Sequence, residues 1–147
     1  RSDQMPFGEE AYSFLYSLIM GKPVELEFEP DYILDPMGNY LAYTYVGDHR
    51  IQNLLIENGF AKLATQNLTS TYEHEIKKLE QLAMSNGDGI WAIPNYVNLE
   101  EGFNSFVIES SNITLKQIED LEQKLLSKGS TLKENLFGLI EADLPNN

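Results

Sequence analysis

Three carboxylates, Glu25, Glu27 and Glu29, alternate with Val24, Leu26 and Phe28. Side chains two apart on a strand share a face, so this spacing predicts one buried face and one lined with negative charge. Such a row can receive a basic partner; a solvated strand face is the plainer use of it. Asp35 lies in the turn Asp35-Pro36-Met37-Gly38-Asn39, where it serves as a turn-former more readily than as a ligand. Tyr40, Tyr43 and Tyr45 are the residue type of a methyl-arginine cage. His49 and His74 are 25 positions apart and read as surface residues rather than as a ligand pair or a base. The chain has no cysteine, which removes disulfides, thiolate metal sites and thiol nucleophiles. No His or Asp/Glu cluster has metal-ligand spacing, and Gly87-Asp88-Gly89 follows a helix end instead of opening a helix, so it is no phosphate loop. Asn67-Leu68-Thr69 and Asn112-Ile113-Thr114 fit a glycosylation sequon, but nothing else in the sequence points to secretion.

The elements that position these residues follow from periodicity. Ala11, Phe14, Leu15, Leu18 and Ile19 form the apolar stripe of an amphipathic helix, stopped by Gly21-Lys22-Pro23. The strand from Val24 and the aromatic, β-branched run 40–46 pair as an antiparallel hairpin with a long connection. A helix is expected over about Ile51–Asn58, ended by Gly59, with 60–64 re-entering the sheet. Ser70 and Glu73 form a capping box for a helix that buries Ile76, Leu79 and Ala83 and stops at Asn86-Gly87. Trp91 then returns to the core. Thr114/Gln117 and Thr131/Glu134 are two further capping boxes around the turn Ser127-Lys128-Gly129-Ser130. They predict a C-terminal helical hairpin that either packs on the rest or offers Leu121, Leu125, Leu136 and Phe137 to a partner.

The 147 residues carry a net charge of -13, with 42% hydrophobic and 11% aromatic content. That composition excludes disorder across the whole chain and allows a core of useful size. No apolar run is long enough to span a bilayer. An intracellular protein is expected. The acidity is spread evenly: 6 basic and 14 acidic residues lie in 1–97, and 4 and 9 in 98–147. Both parts repel a phosphate backbone, which weighs against nucleic-acid binding by this chain alone. The chain begins with Arg1, and residues 1–10 lack a signal-peptide pattern, so a piece of a longer polypeptide is expected.

Pro6-Phe7-Gly8-Glu9-Glu10-Ala11, Gly21-Lys22-Pro23-Val24-Glu25-Leu26-Glu27, the stretch from Asp35 to Tyr45, the segment Ile51 to Lys62 with Asn58-Gly59-Phe60-Ala61, and Glu73 to Trp91 occur in this order. Together they resemble the staphylococcal-nuclease-like (thermonuclease) family, including the nuclease-like modules of Tudor-SN proteins, over about residues 5–93. The resemblance implies an α+β chain holding a partial OB-type barrel: a C-terminal portion of the family domain over 1–97, then a linker and helical extension over 98–147. It also implies that three barrel strands precede this chain, so that a protein partner, another segment or a second chain supplies them. It casts Tyr40, Tyr43 and Tyr45 as ordinary strand residues.

The family cleaves phosphodiesters with metal-assisted water, two arginines, a glutamate and Ca²⁺-holding aspartates. By resemblance, only the second arginine falls within this chain, and its position is held by Asn39, after Gly38. Pro36 stands where a lysine is usual, and Thr65 and Asn67 where tyrosines contact nucleotide. Scaffold positions Gly8, Gly38, Leu41, Ala42, Tyr43, Gly59, Ala61 and Trp91 are kept. This pattern favours a degenerate, non-catalytic interaction or assembly module with no catalytic residue, no metal and no cofactor of its own. One alternative is the C-terminal fragment of a Ca²⁺-dependent nuclease completed by upstream strands. Another is a nucleic-acid-binding module that does not cleave.

Overall fold

In a computed structural model, residues 6–30, 33–34, 36–63, 71–100, 102–106 and 108–142 are described, with side chains as far as 136. Helix α1 (Gly8–Ile19) forms on the expected stripe, with Phe14 and Leu18 buried. It opens without a side-chain cap of its own, because Phe7 precedes it in left-handed backbone at φ 70°. The acceptor comes from the other end of the chain. The Glu122 carboxylate, 3% exposed, takes the Phe7 N–H at 3.1 Å. Negative charge there also meets the positive end of the helix dipole. The buried Tyr96 hydroxyl donates to the Pro6 carbonyl at 3.1 Å in the same region. Burial, and then the nearby Glu122 charge, push that phenol up to about 12.

Strands β1 (Glu25–Phe28), β2 (Ala42–Val46) and β3 (His49–Arg50) make an antiparallel sheet in that order. Glu25 faces Tyr45 and Phe28 faces Ala42, so the hairpin with its long connection is present. Its expected buried face is not. All four residues of β1 are exposed, Leu26 at 54% and Phe28 at 39%, and the ring that reaches Phe28, that of Tyr40, is itself on the surface.

Helix α2 (Ile51–Glu57) follows, and Gly59 ends it at φ 78°. A side chain at Gly59 would lie 2.4 Å from the Asp88 carbonyl oxygen, so glycine is required there for close approach as well as for conformation. Residues 60–63 form no strand. Phe60 turns inward and stacks on Phe14 with ring centroids 4.5 Å apart, a better use of an aromatic than an edge strand. Helix α3 (Glu73–Asn86) buries Ile76 and Ala83. Its N-cap is Tyr72, so Glu73 is the first helical residue and not the third that a capping box with Ser70 requires; Ser70 itself lies outside the described residues. A 3₁₀ turn, Gly89–Ala92, buries Ile90 and packs Trp91 against the core.

A short ribbon, β4 (Val97–Asn98) with β5 (Gly102–Phe103), leads towards the last helix. The Thr114 box is formed: Gln117 N–H donates to Thr114 Oγ1 at 3.2 Å and Thr114 N–H to Gln117 Oε1 at 2.8 Å. The expected hairpin beyond it is instead one helix, α4 (Leu115–Ala142), which runs straight through 127–130. Thr131 caps nothing and bonds back to the Ser127 carbonyl at 3.1 Å. The physical reason lies in the stripe. Ile118, Leu125, Leu132 and Leu136 continue on one face, and Gly129 falls on that face between them. There a Cβ would stand 3.0 Å from the Phe14 ring and 3.4 Å from the Phe60 ring. One hydrophobic cluster joins Phe7, Phe14 and Phe60 to Ile118, Leu125 and Leu136, so the core crosses the expected boundary at 97/98. No helix among the described residues is long and apolar enough to cross a membrane.

Gly129→Ala gains about 1 kcal/mol of helix propensity and loses a similar amount by pressing on Phe14, so it leaves stability nearly unchanged. Gly129→Leu overpacks the junction and lowers unfolding free energy by about 1–3 kcal/mol. Urea unfolding of both variants checks this. A Leu variant as stable as the parent would mean that α4 does not close on the Phe14–Phe60 stack.

Candidate functional site

The connection from β1 to β2 carries the turn singled out above. Leu34 bridges Tyr40, and Leu41 N–H donates to the Ile33 carbonyl at 2.8 Å, which folds the turn back on itself. Gly38 supplies the left-handed residue at φ 86°, and Asn39 follows it on the exposed surface. Asp35, Thr65 and Asn67 lie outside the described residues. An amide at Asn39 can donate a hydrogen bond to a phosphate oxygen but carries no charge, and it lacks the fork that grips two oxygens at once.

The carboxylate row is occupied from within. Tyr45 donates to Glu27 at 2.9 Å and Tyr43 to Glu29 at 3.0 Å. Thr71 clamps Glu29 with its backbone N–H at 2.7 Å and its hydroxyl at 3.0 Å. These donors hold both carboxyls below the ordinary glutamate range, Glu27 through Tyr72 and then Tyr45, Glu29 chiefly through the Thr71 N–H. Glu25 stays exposed at the start of β1.

The centre of this cluster is a cation that sequence reasoning missed. The Arg50 guanidinium lies 3.5 Å from the Tyr72 ring centroid, 5.4 Å from that of Tyr45 and 5.8 Å from that of Tyr43. Its Nη1 bonds Glu75 at 2.9 Å and Asn53 at 3.2 Å, and its Nε bonds the Tyr45 hydroxyl at 3.1 Å. An aromatic cage therefore exists, built from Tyr43, Tyr45 and Tyr72, and the chain fills it with its own arginine. Tyr40 belongs elsewhere, 73% exposed and edge-on to Phe28 at 6.0 Å. The one signal for Arg50 was its place between a short strand and a helix start, which does not say which rings reach it.

The remaining candidates separate. His49 is half-buried in β3 and His74 is exposed on α3. Among the described residues, no group of three or more His, Cys, Asp or Glu side chains could hold a metal ion. On α4, Leu125 and Leu136 are buried in the chain's own core and Leu121 packs against it, rather than being offered to a partner. The Phe137 side chain lies outside the described residues.

The lowered carboxyls at Glu27 and Glu29 contribute stability above the ordinary glutamate value and lose it as pH falls through their own, lower values. Glu57, raised by burial, contributes in the opposite sense, below its raised value only. Glu29→Gln is therefore less stable than the parent at neutral pH and shows a shallower fall in melting temperature on acidification. Thermal melts between about pH 7 and pH 3 check this. Parallel curves for the two proteins would remove Glu29 from the acid limb.

Residues 1–93 match the family model described as "Staphylococcal nuclease homologue". The SPbeta prophage-derived endonuclease YokF of Bacillus subtilis (strain 168) is 34% identical over 112 residues, which cover 76% of this chain and 38% of that protein. Endonuclease YncB of the same organism is 33% identical over 103 residues, 69% of this chain and 48% of its own length. Ribonuclease TUDOR 2 of Arabidopsis thaliana is 32% identical over 93 residues, 59% of this chain and 9% of its own. The chain thus spans less than half the length of each of these relatives. With the family model covering well over half of the chain, this protein belongs to the staphylococcal nuclease family.

Proposed function

We propose that the chain is the hairpin-and-helix portion of a nuclease domain that hydrolyses nucleic-acid phosphodiesters once its open sheet is completed. The observation that carries this reading is the alignment of most of the chain with two bacterial endonucleases at 34% and 33% identity. In such a domain this chain supplies scaffold. Phosphodiester hydrolysis needs positive charge around a phosphorus that gathers negative charge in the transition state. On this reading the nucleophile and base come from residues outside those described.

A second reading is favoured by one specific residue. Asn39 stands in the turn where the family resemblance implies an arginine, and the net charge of -13 opposes a polyanionic substrate. On that reading the domain has lost its chemistry and serves as an assembly platform whose partner is protein.

The test joins the full chain, through its N-terminus, to the upstream region of a family endonuclease and assays labelled single-stranded DNA and RNA with and without Ca²⁺. The nuclease reading predicts cleavage in the joined protein, raised about 100-fold in Asn39→Arg by restored transition-state charge. The platform reading predicts a folded product with no cleavage, before or after Asn39→Arg. Salt-dependent binding of the labelled strands without cleavage would count against both.

A further inference from the structure

Helices α1 and α4 begin in opposite ways. At the start of α4 the third helical residue closes the end locally, because Thr114 N–H donates to Gln117 Oε1 at 2.8 Å. At the start of α1 the equivalent third residue is Glu10. It does not perform this task. The Phe7 N–H goes instead to Glu122 Oε2 at 3.1 Å, 115 positions away. Glu10 is left 6% exposed, and its Oε2 meets no donor among the described residues. One N–H therefore has two acceptors to choose from, a local one by sequence spacing and a distant one by packing.

Two costs accompany the distant choice. A buried carboxylate oxygen without a donor gives up its hydration and gains no bond in exchange. Phe7, a bulky residue, is held in left-handed backbone at φ 70° and ψ -3°, a region such residues seldom adopt. A capping box needs the residue before the helix to be extended, which is the ordinary N-cap conformation. Relaxing Phe7 and closing the box with Glu10 are thus one rearrangement. Both are shut out while Glu122 holds the N–H.

Packing of α4 maintains the costly arrangement. Ile118, Leu125 and Leu136 lie in one cluster with Phe7 and Phe14, and Lys128 pairs with Asp88 at 3.7 Å. Glu122 rides on the same face of α4 and is 3% exposed. Docking of α4 delivers the carboxylate to Phe7, and withdrawal of α4 removes it.

We propose that the start of α1 is a two-position cap that regulates the docking of α4. In the docked position Glu122 takes the Phe7 N–H, Phe7 is left-handed and Glu10 is idle. In the released position Phe7 is extended, Glu10 closes a capping box, and its carboxylate returns to water. Release relieves the strained backbone and the idle oxygen together, so α4 opens more readily than its apolar contacts alone would set. The device links a helix outside the family match, Leu115–Ala142, to the first helix inside it. It holds whether or not the completed domain cleaves anything.

The test follows backbone amide exchange by NMR in the full chain at one fixed pH, for Glu10→Met, Glu122→Met and the double variant. Methionine keeps the length of the side chain and removes the acceptor. Glu10→Met takes away both the idle oxygen of the docked position and the cap of the released one. The α4 amides from Ile118 to Leu136 then exchange about tenfold more slowly than in the parent. Glu122→Met makes the same amides exchange about tenfold faster. Phe7 nevertheless keeps its amide protection in that variant, and its Cα chemical shift moves to the extended range. The double variant loses protection at Phe7. Unchanged or faster α4 exchange in Glu10→Met would overturn the proposal, because Glu10 would then be an ordinary support of the docked state. Loss of Phe7 protection in Glu122→Met alone would overturn it as well. Should Glu122→Met not fold, Glu10→Met decides by itself through the direction of the change in α4.

Discussion

The fold depends on one close approach. Phe14 on α1 and Phe60 after α2 stack at 4.5 Å, and α4 crosses them at a position without a side chain, Gly129. Three regions distant in sequence meet there, and the rest of the helical layer is arranged around that meeting. Glu122, two turns earlier on α4, can then reach the start of α1 and accept the Phe7 N–H that Phe7 cannot satisfy itself. Buried N–H groups left without acceptors are costly, so this bond ties the beginning of the family match to a segment that lies outside it. The extension is thus a working part of the core rather than an appended arm.

Once the helical side is closed in this way, the sheet has to face outward. Most of the apolar surface of α1, α2 and α4 is used in the common cluster, while β1 leaves Leu26 and Phe28 in water. Two faces of one hairpin are therefore in opposite states. The polar face is engaged at Glu27 and Glu29, which accept bonds from Tyr45, Tyr43 and Thr71 around Arg50. The apolar face has no such partners among the described residues.

Much of this was legible in the sequence, and the exceptions have particular causes. Helix periodicity placed α1 and α2 within a few residues, because local stripes and glycine stops need no long-range information. The Thr114 box was readable for the same reason. The turn expected at Ser127–Ser130 failed because Gly129 was read as a local breaker, whereas it answers a ring arriving from a segment more than a hundred positions away. The strand at 60–64 failed similarly, with Phe60 drawn to Phe14 in place of a sheet edge. Arg50 was invisible because a cage is defined by rings from β2 and from the start of α3 converging on it. The charge of Glu27 and Glu29 was read correctly, but its donors were not, since Thr71 and Tyr72 lie more than forty positions on.

The tyrosine cluster also bears on which parts of the hairpin the packing constrains. Arg50, Tyr43, Tyr45, Tyr72 and Glu75 pin α3 and α2 to the hairpin by cation–π contact and charge-assisted bonds, on the side of the sheet opposite Leu26 and Phe28. The turn with Asn39 lies outside this network, on an exposed connection held by the Leu34–Tyr40 bridge and Gly38. Asn39 is exposed there and takes no place in the hydrophobic cluster that forms the core. Residue 39 can therefore vary without repacking the core, so its side chain bears on the proposed chemistry more than on folding.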